Sequence, residues 1–175
     1  MLARIDVPRR CIPLLCAFAA ASYTACAAGA APSKIAVFEF ELENTSPSSA
    51  TWGETSKDSP AMKAITEQVR RDLERSGKFE TIDVSHVDAK EALAHTLRSC
   101  RGCDAEIASK LGADRSLIGV ISKAGNTEYY ASIRLTDARL HRVIFQKMAF
   151  FTGGEASWST GAHELVAEAI AHADD

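Results

Sequence analysis

The sequence predicts an α/β (α+β) fold: a single domain with one mixed β-sheet, in the order β-α-β-α-α-β-β-β-α. Three observations predict it. Two strand-like segments, "KIAVFEFELEN" and "KFETIDVS", flank a helix-periodic one, "PAMKAITEQVRRDL". Three more strand-like segments follow one another in the second half: "RSLIGVIS", "TEYYASIRLTD" and "HRVIFQKMAFF". An amphipathic stretch closes the chain. Strands joined through helices favour parallel pairing with right-handed crossovers. Consecutive strands favour an antiparallel meander, so a mixed sheet with helices on at least one face satisfies both.

Each element has its own warrant. Residues 34–44 start apolar on both faces and then alternate, with Phe38, Phe40 and Leu42 expected inward and Glu39, Glu41 and Glu43 outward in water. Residues 44–59, "NTSPSSATWGETSKDS", form a long polar loop, and such loops are often functional. Trp52 within it either closes over a ligand or folds back on the core edge, the commoner fate of tryptophan. Ser59 and Pro60 are a cap and a first-turn proline. Met62, Ile65, Val69 and Leu73 follow at helical spacing, and Glu67 with Arg71 and Arg70 with Glu74 are placed to pair. Gly77 ends the helix. Residues 78–85 read as a short strand. Ser85 and Asp88 make a capping box for a helix over 87–98, with His86 beside the cap. A short helix over 104–111 stops at Gly112. Residues 115–122 are apolar on both faces, as a central strand requires. Residues 124–126 turn the chain into two further strands. Ala162, Leu165, Val166, Ala169 and Ile170 mark the last helix, capped near Ser157 or Ser159, with Trp158 packing it onto the sheet.

The first thirty residues stand apart. Arg4, Arg9 and Arg10 precede an uncharged, alanine-rich run, the pattern of a cleaved secretory signal. Cleavage is expected between Ala28 and Pro32. Alternatively, "YTAC" places Cys26 at a lipidation site, although Tyr23 stands where an aliphatic residue is usual. The chain has 20 Lys+Arg and 23 Asp+Glu; residues 1–30 hold three Arg and one Asp, leaving 17 basic against 22 acidic side chains. An acidic domain without a basic tract is not built for nucleic acid. Membrane attachment is expected only through Cys26; the expected compartment is the periplasm, with an outer-membrane lipoprotein as the alternative.

Cys11 and Cys16 leave with the signal and Cys26 is removed or lipidated, so Cys100 and Cys103 remain in the exported chain. In "SCRGCDAEIA" they follow one helix and start the next. A c-type haem site needs His after the second Cys, and Asp104 stands there. A structural zinc site needs four ligands, and no second pair completes one. A redox dithiol would gain from the helix dipole and Arg101, but Asp104 opposes thiolate formation and the order of elements is not thioredoxin-like. A disulfide that locks the corner around Gly102 is the favoured reading in an oxidising compartment, with the thiol–disulfide enzyme kept as the alternative. No G-x-S-x-G, H-E-x-x-H or glycine-rich phosphate loop occurs. No cofactor, metal or catalytic set is therefore expected. The expected job is docking of a protein partner or small ligand, with Trp52, Glu41, Asn44, His86 and Trp158 as the candidate surface.

"SKIAVFEFE" and "KLGADRSLIGVISKAGNTEYYASIRLTDARLHRVIFQK" resemble the TolB amino-terminal domain and its relatives among bacterial outer-membrane assembly proteins. The match covers Lys34–Phe40, Leu111–Val120 and Ile133–Val143. It departs where Arg139, Leu140 and His141 replace a glycine turn. Nearly all of the exported chain is also similar to a family of exported bacterial proteins of unknown function, marked by "FEFELENTS", "C.GC.A.IA..LGAD" and "SWS.G". Those marks stand here at Phe38–Ser46, Cys100–Asp114 and Ser157–Gly161. The resemblance implies the fold, an exported location and no established activity; the TolB relatives imply a protein-docking module.

Overall fold

The computed structural model describes residues 31–45, 60–85, 96–100, 102–125 and 127–173. Six strands and three helices are described: β1 Ser33–Val37, β2 Glu41–Asn44, α1 Pro60–Arg75, β3 Phe79–Ile82, α2 Cys103–Lys110, β4 Arg115–Lys123, β5 Glu128–Asp137, β6 Arg142–Thr152 and α3 Glu155–Ala171. They form one mixed sheet in the order β3-β1-β4-β5-β6, with β2 also beside β4. β1 pairs in parallel with β3 and β4, and β2 in parallel with β4. β4, β5 and β6 form the antiparallel meander. The expected mixed α+β sheet is the one found. The helix expected over 87–98 falls almost wholly outside the described residues.

The strand expected over 34–44 is two strands. Phe38 still donates its N–H to the Leu117 carbonyl (3.1 Å), but the Phe40 N–H turns to Thr66 Oγ1 on α1 (2.9 Å). One residue, Glu39, is thereby inserted, and the alternation changes phase, as at a bulge. Phe38 and Phe40 consequently enter different cores. Phe40 lies with Ile35, Val37, Leu117 and Ile133 under α1 and α3. Phe38 lies with Ala36, Ile107 and Ile118 on the other face, under α2. Glu41 keeps the face opposite Phe40 and Leu42, but that face is covered where the alternation had expected water: Leu97 and Arg98 bond its carboxylate, and it is 5% exposed.

The ion pairs on α1 also differ from the expected ones. Arg70 pairs with Glu67 and reaches the Val37 carbonyl (2.9 Å), a group left free where β1 ends. Arg71 donates instead to Gln68 (2.9 Å), and Glu74 accepts from Thr81 on β3. A strand-end carbonyl needing a donor outranks an exposed pair that contributes only a few tenths of a kcal/mol.

α3 starts earlier than expected, after Gly153 and Gly154. Gly153 has φ +135°, and a Cβ there would meet Ser157 Oγ at 2.7 Å. Gly154 is the cap residue, and the Ser157 hydroxyl donates back to its carbonyl (2.6 Å) rather than capping the helix itself. α1 and α3 run in the same direction. Asp72 accepts from His163 (2.8 Å), and Lys78 just beyond α1 donates to the Ile170 carbonyl (3.0 Å).

Candidate functional site

The face of the sheet opposite α1 and α3 gathers the polar chemistry. At its centre is Asp104, the second residue of α2 and fully buried. It accepts hydrogen bonds from Ser116 Oγ on β4 (2.7 Å) and Arg134 Nη2 on β5 (3.0 Å). Gly102, at φ +95°, makes the reversal that aims α2 at the sheet. Cys100 and Cys103 flank that reversal at disulfide distance, their Cα atoms 5.7 Å apart. Cys103 packs partly buried against the smaller core. The expected negative charge of Asp104 is therefore turned inward, onto Arg134.

A second cluster lies along β2. Glu41 accepts from the Leu97 N–H (2.9 Å) and from Arg98 (3.2 Å). Arg98 also reaches Glu43 (3.5 Å), which accepts from Ser122 Oγ (3.0 Å). A hollow of about 100 Å³ lies between the two clusters, lined by Arg98, Ile118, Val120, Ser132, Arg134 and Gln146. Both of its arginines are bound to carboxylates, so it is a closed charge network.

Along β6 exposed apolar side chains flank the hollow-lining Gln146 on both sides. Leu140 is 66% exposed, Val143 46%, Met148 63% and Phe150 56%. These large exposed apolar side chains all sit on β6 or on the turn entering it. The Phe150 ring lies 5.3 Å from that of Tyr130 on β5. The turn itself is firmly held. Asp137 accepts from the N–H groups of Arg139 (3.0 Å) and Leu140 (2.9 Å) and from Arg115. Burial alone would raise its carboxyl, but the Leu140 N–H and the Arg115 charge outweigh that and hold it below its ordinary value. His141 takes φ +51° where the resembled pattern has glycine.

Of the sequence-derived surface, Trp52 and His86 lie outside the described residues, as does Cys26. Asn44 ends β2, half-buried beside Lys123. Glu41 and Trp158 are buried and so do not form a surface. Trp158, 8% exposed, packs on Tyr129 (5.3 Å), which stacks on Phe151 (5.8 Å). Gly161 lets α3 approach that Phe151 ring. "SWSTG" is thus the seam that joins α3 to the sheet. Sequence reasoning missed Arg98 and Arg134, whose role depends on carboxylates distant in the chain. It also missed Met148 and Phe150, for which "FQKMAFF" did carry a signal: apolar residues on both faces of a strand with a neighbour on one side only.

On the helical side, a groove of about 570 Å³ between α1 and α3 is lined by Ala64, Gln68, Arg71, Ser159, Thr160 and His163. The Asp72 carboxyl closes one end of it. Burial would raise that carboxyl, yet the hydrogen bonds from His163 and Gln68, with the charges of His163 and Arg75, hold it below its ordinary value. Among the described residues no cluster of His, Cys, Asp and Glu is arranged to hold a metal ion, and no helix is long and apolar enough to cross a membrane.

The family model DUF3280, described as a protein of unknown function (DUF2380), matches residues 33–170. No curated protein matches the chain. Among solved structures, the chain is similar to the LpoB C-terminal domain from Salmonella enterica, with 20% identity over 70% of this chain and 84% of that one, and a TM-score of 0.48. It is similar to lipoprotein GNA1162 from Neisseria meningitidis, with 17% identity over 82% of this chain and 96% of that one, at 0.48. It is also similar to TolB from Acinetobacter baumannii, with 20% identity over 81% of this chain and 28% of that one, at 0.48.

Proposed function

Because the chain belongs to the DUF3280 family, a family of unknown function, we propose its role from its own geometry: a non-catalytic docking module of the bacterial envelope, exported through residues 1–30. The observation that carries this reading is the gathering of Leu140, Val143, Met148 and Phe150 on one strand and its turn. Exposed apolar side chains scattered singly need no explanation, whereas Met148 and Phe150 stand as alternate residues on one face of β6, and such a grouping marks an interaction surface. The docking surface is accordingly β6 and its open face, with Asn44 at the end of β2 as a further candidate, together with Trp52 and His86, which lie outside the described residues. Glu41 and Trp158 support that surface from within.

Cys100 and Cys103 are assigned a structural role, locking the corner that aims Asp104 at Arg134. Cys26, if lipidated, would tether the module to a membrane; incorporation of labelled palmitate, lost in Cys26→Ala, tests that branch.

The docking role is tested by a photo-crosslinking amino acid placed at residue 150 in cells, with residue 80 on β3 as the control. Discrete products from residue 150 and none from residue 80 are expected. No product from residue 150, or the same products from both positions, would overturn the reading.

A further inference from the structure

Among the described residues β6 has a neighbour, β5, on one side only. Each other strand has at least one buried residue, but β6 has none in eleven. It ends the strand order, and no described residue pairs with its outer edge. The Gly153 N–H donates to the Thr127 carbonyl (3.0 Å), which sets the phase of the antiparallel ladder. By the alternation of that ladder, Phe151, Ala149 and Lys147 turn their main-chain groups toward β5, opposite Tyr129, Ala131 and Ile133. Phe150, Met148 and Gln146 turn theirs outward. The residues with free main-chain groups are thus those whose side chains stand on the open face. The stretch of this edge beyond the register shift at Ile144, residues 145–152, is long and mostly apolar, and such an edge is a template for another strand.

Charge selects the strand. Residues 138–152 hold Arg139, Arg142, Lys147 and His141 and no carboxylate. Lys147 is bound to Glu168 and Arg139 to Asp114, while Arg142 is exposed and has no acidic partner among the described residues. Two copies of β6 side by side would bring like charges together. An acidic strand would complement them.

We propose that the outer edge of β6 takes an extended segment of a partner protein by strand addition, with apolar side chains on Met148 and Phe150 and a carboxylate beside Arg142. Main-chain pairing would supply affinity and the alternate side chains specificity. This deepens the docking reading and rests on it.

The probes are two short acetylated peptide amides of alternating valine and threonine, one with aspartates at both ends and one with lysines there. They are titrated into the isotopically labelled exported protein. The aspartate peptide is expected to bind and to shift the amide signals of Gln146, Met148, Phe150 and Thr152. The lysine peptide should bind about tenfold more weakly. Met148→Pro removes one outward N–H and no bond to β5, a position where an edge strand accepts proline. It should cost about fivefold or more in affinity while the protein still melts cooperatively. Arg142→Glu is the second variant and should reverse the preference between the peptides. Absence of binding, equal binding of both peptides, or a folded Met148→Pro that binds unchanged overturns the proposal. A dimer that Met148→Pro dissociates also overturns it, since a second copy would then hold the edge. If the residue 150 crosslink survives in Met148→Pro, strand addition fails while the docking role stands.

Discussion

Gly119, on β4, lies against the Phe40 ring, and a Cβ built on it would fall inside that ring. Gly119→Ala should therefore destabilise by about 1–3 kcal/mol through overpacking, and Phe40→Leu in the same chain should recover part of the loss, read by denaturant unfolding. His141 makes the opposite case, a side chain where the backbone prefers none. With φ at +51°, a β-branched residue there is strained by about 1–2 kcal/mol. Stability should follow the order glycine, histidine, valine for His141→Gly, the parent and His141→Val, and midpoint unfolding temperatures in any other order would exclude the strain argument. Asp104 is the third telling residue. Asp104→Ala leaves Arg134 without its carboxylate and should cost about 3–5 kcal/mol, with Asp104→Asn costing less because Ser116 keeps an acceptor. The turn at His141 was visible in the sequence as a departure from a glycine pattern. The contacts of Gly119 and Asp104 were not, because each is decided by a residue at least twelve positions away.

At the scale of elements, α1 and α3 are held in parallel by the larger core and by the Asp72–His163 contact at one end of their groove. The folded Asp72 and Asp137 carboxyls lie below their ordinary values, so the sign of the pH effect follows. Their contribution is complete above about pH 5 and is lost as pH falls through the unfolded carboxylate value of about 3.9 toward the lower folded values. Acid should thus lower the melting temperature over that window, and Asp72→Asn should flatten the fall; an unchanged slope would show that Asp72 is not one of the linked groups. Helices α1, α2 and α3 and the meander were legible in the sequence, because 3.6-residue and two-residue periodicities are local properties. The break between β1 and β2 was not. It depends on Thr66 of α1 drawing away the Phe40 N–H, and a single inserted residue then put Phe38 and Phe40 on opposite faces.

The described residues form a sheet with helices on both faces, with the short strand β3 at one edge and the long strand β6 at the other. The staple belongs to this scale, because it fixes α2 over the smaller core. Cys100→Ser or Cys103→Ser should cost about 2 kcal/mol for so short a loop, and the bond should have a reduction potential below about −300 mV. A potential in the range of catalytic dithiols, with insulin reduction lost in Cys100→Ser, would replace the staple with the enzyme reading. What the sequence by itself determined is the fold class, the parallel-then-antiparallel order and the position of the cysteine pair, since these follow from periodicity, connection length and glycine placement along the chain. Only the tertiary structure decided which carboxylates are buried, which arginines answer them and which strand is left at the edge. Those outcomes depend on neighbours brought together across the sheet, and the free energy of burying a charge or leaving a strand unpaired exists only once those neighbours are in place.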